Sequence, residues 1–393
     1  MSHVKTGLDR LLAEPFHYLK GRRVGLVANH TSVAADGRYS FLHFQEHPEI
    51  ELVKLFAPEH GLYGVAQDME TVDTSVEPAT GLPVHSLYGK DAASLKPDPG
   101  LFTELDTVVF DIQDIGARYY TFIYTMAHCM EACRTAGVHM VVCDRPNPIN
   151  GKQVEGNCVG DACRSFVGQY PILNRHGMTA GELARLFNEH HGIDCDLNVV
   201  PMEGWEREMW YDQTGLMWIP PSPNMPDLST ATVYPGMCLL EATRISEGRG
   251  TTRPFEQCGA PGLDAHKLAS ILNRKNLPGV QFRPAYFKPG FQKHAGQMCA
   301  GVFLHVTDRH SFKPLVTGIG ILRALSQEFP DVLQWRTEAY EFVEDIPAID
   351  LLYGNPELRE RLLATHLSLL DIEQSWEPDT QAFLPLRREY LLY

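Results

Sequence analysis

The chain has 393 residues, 44% hydrophobic and 21% charged, with 34 lysines and arginines against 49 aspartates and glutamates, a formal net charge of −15. That length exceeds one ordinary core and points to two domains; the acidic surface, with no basic run to offset it, excludes broad contact with nucleic acid or anionic membrane. The nine cysteines follow no regular spacing and include no C-x-x-C pair, so free thiols are expected rather than a disulfide framework or a zinc site.

Along the first 150 residues four short apolar runs stop abruptly in polar clusters. Arg23–Ala28 stops at Asn29-His30-Thr31, and the run to Ala57 stops at Pro58-Glu59-His60-Gly61. Thr107–Phe110 enters Asp111-Ile112-Gln113-Asp114, and Val138–Cys143 enters Asp144-Arg145-Pro146-Asn147. Near-continuous apolar runs suit strands buried on both faces, and the helix-like stretches between them imply parallel order. An α/β fold follows, with the polar clusters gathered at the carboxyl edge of the sheet, where such folds bind ligands. Phe122 to Ala136 has helical spacing and ends at Gly137, and Thr179 with Glu182 fits a capping box.

Residues 201 to 262 show weak periodicity, and the proline-rich Pro220–Pro226 cannot form a helix or a central strand. Such a segment is a rigid site-lining loop or a domain crossing. Beyond it the pattern gives a helix from Asp264, strands near Val280–Arg283 and Gly301–Val306, a helix over Leu315–Phe329 and a mostly helical acidic tail. The expected division is residues 1–258 and 259–393. No run reaches the roughly 20 apolar residues that span a bilayer. Met1–Arg10 lacks the apolar segment and cleavage site of a secretion signal, so a cytoplasmic location is expected.

Three clusters can carry chemistry. Glu59, at a strand end among apolar neighbours, suits a general acid, or simply caps the next helix. Asp111 and Gln113 share a face of an extended segment, with Asp114 just beyond. Together with Arg118, Tyr119 and Tyr120 they resemble a sugar subsite, while one of the two aspartates is expected to serve only a structural Asp–Arg ion pair. Arg249 and Arg253, among glycines and threonines near Glu241, Glu247 and Glu256, can clamp a carboxylate or phosphate bidentately, or knit a salt-bridged loop. Gly318-Ile319-Gly320 lacks the third glycine of a dinucleotide loop, Glu189-His190-His191 lacks zinc-protease spacing, and Ser222 is not in a nucleophile elbow. His176-Gly177 lines the cleft or turns the chain.

Taken in order, Asn29-His30-Thr31-Ser32, Ala57-Pro58-Glu59-His60-Gly61, Phe110 to Thr121, Asp144 to Pro148, Val154-Glu155-Gly156, Arg175 to Thr179, Pro221 to Pro226 and Ser246 to Phe255 resemble the NamZ-type exo-β-N-acetylmuramidases. The resemblance is specific from about residue 20 to 265 and looser beyond. It implies a Rossmann-like parallel-sheet amino-terminal domain, a smaller α/β carboxy-terminal domain completing a cleft, and release of β-1,4-linked N-acetylmuramic acid from the non-reducing end of peptidoglycan fragments. A small muropeptide or muramyl saccharide is then the partner, with no cofactor or metal.

Glycoside hydrolysis needs a carboxyl to protonate the leaving oxygen and a second group at the anomeric centre. Glu59 is the candidate acid, and Asp111 or Asp114 the partner, unless the substrate's own acetamido group attacks. Candidate substrate contacts are Asn29, His30, His60, Gln113, Arg118, Tyr119, Asp144, Glu155, Asn224, Glu247, Arg249 and Arg253; of these Arg118, Arg249 or Arg253 would meet the lactyl carboxylate. The competing readings are a non-catalytic muropeptide-binding protein and a hydrolase of another bond in wall fragments.

Overall fold

The computed structural model describes residues 4–67, 70, 73–89 and 91–393, so the first three residues of the amino-terminal segment lie outside it. Its main sheet has seven strands: β1 (Arg23–Ala28), β2 (Glu51–Ala57), β3 (Ser75–Val76), β4 (Pro83–Ser86), β5 (Thr107–Asp111), β6 (His139–Cys143) and, after a separate pair, β9 (Leu197–Val200). The spatial order is β3-β4-β2-β1-β5-β6-β9, and every pairing is parallel except that of β3 with β4. The separate pair is β7 (Glu155–Cys158) with β8 (Leu173–Arg175), antiparallel.

All five residues of β5 and of β6 are buried, as strands covered on both faces require. Alternation along β5 divides two cores. Val108 and Phe110 pack on the side of helix Phe122–Ala136, whereas Val109 joins Leu8, Leu11, Phe41 and Phe44 on the other. The long helix ends at Gly137, left-handed at φ 71, and the Thr179–Glu182 capping box is present.

A second, antiparallel sheet orders β10 (Gln257–Ala260), β12 (Cys299–Val306) and β11 (Val280–Phe287). The division expected at residue 258 falls inside β10. The segment before it also holds a helix, Leu228–Met237, that the sequence pattern does not reveal: Thr230–Met237 are all buried, so no polar face marks a period, and Pro235 sits inside. This helix crosses Pro314–Glu328 so closely that a Cβ on Gly236 would stand 1.8 Å from the Pro314 carbonyl oxygen, and one on Gly318 would stand 2.2 Å from that of Gly236. Gly318 is thus a packing residue. The last helix, Glu377–Tyr390, returns to the amino-terminal half, where Arg387 donates to the Gly177 carbonyl at 2.7 Å. Among the described residues no helix is long and apolar enough to cross a membrane, and all nine cysteines are free.

Candidate active site

β2 ends at Ala57, and the chain turns at once, with His60 and Gly61 both left-handed at φ 69 and 78. His60 pins the turn through Nδ1 to the Ala66 carbonyl at 2.8 Å. The turn leaves Glu59 only 7% exposed, with Oε2 accepting from Thr121 Oγ1 at 3.1 Å, one residue before the long helix. Glu59 faces a narrow recess of about 50 Å³ shared with His60, Asn224 and a group of aromatic rings. Phe122, Tyr120, Tyr234 and Phe255 follow one another edge to face at centroid separations of 5.2, 5.8 and 4.9 Å. Such a chain of rings is rigid and offers apolar faces beside polar rims. Pro220–Pro226 is irregular and lines the recess through Ser222, Asn224 and Met225, the loop role its composition allows.

The remaining wall comes from the carboxy-terminal half: Glu241, Arg249, Tyr340 and Glu341. Arg249 lies over the Phe255 ring at 5.3 Å and donates to Glu241 Oε1 at 2.7 Å, while Tyr340 donates to Glu241 Oε2 at 2.8 Å. Behind it Glu247 stands 3.7 Å from Arg249 Nε and accepts from Lys293 Nζ at 2.8 Å. Burial alone would raise the Glu247 pKa, but Lys293 and Arg249 outweigh it and hold the carboxyl below its ordinary range. Two carboxylates therefore fix a guanidinium at the rim of an aromatic pocket. Among the described residues no group of three or more His, Cys, Asp or Glu is arranged to hold a metal ion.

Models of the two halves of the exo-β-N-acetylmuramidase NamZ match residues 24–229 and 232–393. The chain belongs to the NamZ family. It is 44% identical over 390 residues to the peptidoglycan β-N-acetylmuramidase NamZ of Bacillus subtilis (strain 168), covering 99% of this chain and 91% of that protein. Two crystal structures of DUF1343 family proteins from Bacteroides fragilis NCTC 9343 superpose over the whole chain and 99% of their own. Their TM-scores are 0.89 and 0.78, at 37% and 28% identity.

Several residues that the NamZ-like motifs nominate are hydrogen-bonded within the protein and lie outside the recess lining. Asp111, fully buried, takes two hydrogen bonds from Arg145, at 2.7 and 2.9 Å, and does not line the recess. Arg118 is buried and spent on four backbone carbonyls, of Asn157, Ile172, Leu352 and Tyr353, which staples the two halves and removes it as a substrate clamp. Asp144 accepts from Thr179, Gly181 and Tyr393, tying a helix start and the carboxy-terminal residue to β6. Glu155 accepts from the Val316 amide at the start of helix Pro314–Glu328. Arg253 is half exposed and pairs with Asp227 at 3.1 Å and Glu256 at 3.4 Å, outside the recess.

Others are held by hydrogen bonds within the strand-end loops. Asn29 Oδ1 accepts from Thr31, Gln113 Nε2 donates to the Asp114 and Pro146 carbonyls, and His30 meets the Pro220 carbonyl. Burial lowers the His30 pKa, keeping the ring neutral. The Tyr119 hydroxyl is taken by the Pro235 carbonyl, although its ring lines the recess. Asp114 lies outside the recess lining; Oδ2 accepts from Gly116 at 2.7 Å and stands 3.8 Å from His176 Nε2. Burial pushes Asp114 up to about 7 and His176 down to about 3. Asn224, in the recess lining, donates to Gln67 at 3.0 Å.

Sequence reasoning did not nominate Tyr340 and Glu341. They sit in a tight turn in which Tyr340 and Val343 exchange backbone hydrogen bonds at 3.0 Å, with Glu341 and Phe342 left-handed at φ 46 and 66. Such turns ordinarily carry Asn-Gly or Asp-Gly, so Glu-Phe gives no turn signal.

Proposed function

We propose that this chain is an exo-acting glycoside hydrolase that releases β-1,4-linked N-acetylmuramic acid from the non-reducing end of peptidoglycan fragments. The reading rests on its membership of the NamZ family together with one observation: a buried carboxyl, Glu59, opening on an aromatic pocket whose rim carries an immobilised arginine. Glu59 protonates the glycosidic oxygen as the bond breaks. Glu341, in the same recess, steers the attacking water. The rings supply faces for the apolar side of the sugar. This assignment moves the second carboxyl from the Asp111–Asp114 segment to the carboxy-terminal half, because Asp111 is consumed by Arg145 and Asp114 stands outside the recess lining.

Muramic acid differs from glucosamine by a lactyl ether ending in a carboxylate. Arg249 is the selecting group, its guanidinium pre-oriented by Glu241 and Glu247 so that little side-chain freedom is lost on binding. The test is release of chromophore from an aryl β-N-acetylmuramide and the matching glucosaminide. Turnover of the muramide alone is expected; equal turnover of both would remove the muramic-acid assignment, and turnover of neither by folded protein would remove the glycosidase reading.

A further inference from the structure

Beside the recess runs a larger groove of about 750 Å³. One wall is a face of helix Phe122–Ala136, where His128, Glu131 and Thr135 recur at three- and four-residue spacing over about 10 Å. The other wall includes Phe166, Gln169 and Tyr170. The two hollows meet at the Tyr340–Val343 turn: Glu341 lines both, and consecutive Phe166 and Val167 line the groove and the recess respectively. Two successive non-glycine residues in the left-handed region are costly, so the surrounding structure holds this junction in place against local preference.

The groove's chemistry is that of a carbohydrate site. Phe342 and Tyr170 offer rings, Tyr170 being held by stacking on Phe187 at 4.2 Å. Gln169 Oε1 and His191 Nε2 are buried polar atoms without a protein partner, while Gln169 Nε2 is fixed by His128 at 3.1 Å. Arg134, exposed in the groove, has no carboxylate partner among the described residues. The geometry points to this groove as the seat of the leaving side of the substrate, an oligosaccharide of N-acetylated amino sugars; the assignment rests on the glycosidase reading above. The sugar to be released sits over the mouth of the recess at Glu59, and the rest of the chain passes Glu341 into the groove. There Gln169 and His191 meet hydroxyl and acetamido groups, and Arg134 meets the carboxylate of a muramyl unit further along.

Arg134→Ala and Gln169→Ala test this with three substrates: an aryl β-muramide, a tetrasaccharide with muramic acid at its non-reducing end, and the same tetrasaccharide carrying stem peptides. Each variant is expected to keep aryl turnover within about twofold of the parent and to lose about 3- to 10-fold in kcat/KM on the bare tetrasaccharide. Equal loss on both, or loss on neither, overturns the groove. Loss confined to the peptide-bearing substrate also overturns it, in favour of a peptide site. If the parent turns over no glycoside the catalytic reading fails separately, and calorimetry with the bare tetrasaccharide decides the groove. Binding weakened about 3- to 10-fold in the variants upholds it, and unchanged binding refutes it.

Discussion

Two stretches of one edge of the main sheet carry equally dense polar clusters and have opposite fates. At β5 and β6, Asp111, Gln113, Asp144 and Arg145 are buried and hydrogen-bonded to the protein itself. At β2, Glu59 accepts from the Thr121 hydroxyl and opens on a recess whose far wall is another part of the chain. In open α/β sheets the crevice between strands that diverge, here β1 and β5, is the usual ligand site. In this chain the Asp111–Arg145 pair fills the end of β5, and the site lies over β2. What separates the two carboxylates is where they open: Asp111 is fully buried in the protein, whereas Glu59 lines a recess.

The contrast can be broken first at its structural end. Arg145→Met leaves Asp111 buried and unpaired and is expected to cost about 3–5 kcal/mol in chemical denaturation, with kcat of the remaining folded protein unchanged. A mild stability change with abolished turnover would make Asp111 part of the chemistry. Next in size is Arg249→Ala. Losing a buried charged hydrogen bond worth about 1.5–3 kcal/mol should narrow the preference for muramide over glucosaminide by roughly 10- to 150-fold, read as the ratio of kcat/KM values.

Asp114 gives a pH signature. Its pKa is raised by burial to about 7 in the folded protein, so between pH 4 and 7 the folded state binds the extra proton. The stability this contributes is complete below the unfolded pKa and is lost as pH rises through 7, by at most about 1.4 kcal/mol per pH unit. Asp114→Asn keeps an acceptor for Gly116 and removes the titration, so the denaturation midpoint of the parent relative to the variant should fall over that range. A flat difference would mean Asp114 is ionised throughout. The smallest effect belongs to Arg253→Ala: a half-exposed ion pair contributes at most about 1 kcal/mol, and the muramide preference should stay within about twofold. A collapse of selectivity there would exchange the roles of the two arginines.

Much of the frame is legible in the sequence because it depends on local rules. Buried runs gave β1, β2, β5 and β6 within a residue or so, and Gly137 and Thr179 mark helix ends by their own chemistry. The helix Leu228–Met237 is hidden because burial on every side erases periodicity. Sorting Arg118 from Arg249 lies beyond sequence, since each is an arginine beside aromatic rings. What separates them is four carbonyls, two of them more than 230 residues away, that occupy the first. Glu341 is invisible for a related reason: only the fold brings its turn to the recess, and its residues carry no turn signature.

The central claim is that Glu59 is the proton donor, and leaving-group dependence tests it most directly. A saccharide alkoxide must be protonated as it departs, whereas a nitrophenolate leaves well unaided. Glu59→Gln should therefore lower kcat/KM by about 10²- to 10⁴-fold on a muramyl saccharide and far less on the nitrophenyl muramide, with the fold intact. Equal losses on the two substrates, or none on the saccharide, would contradict the assignment and move the proton donor elsewhere in the recess.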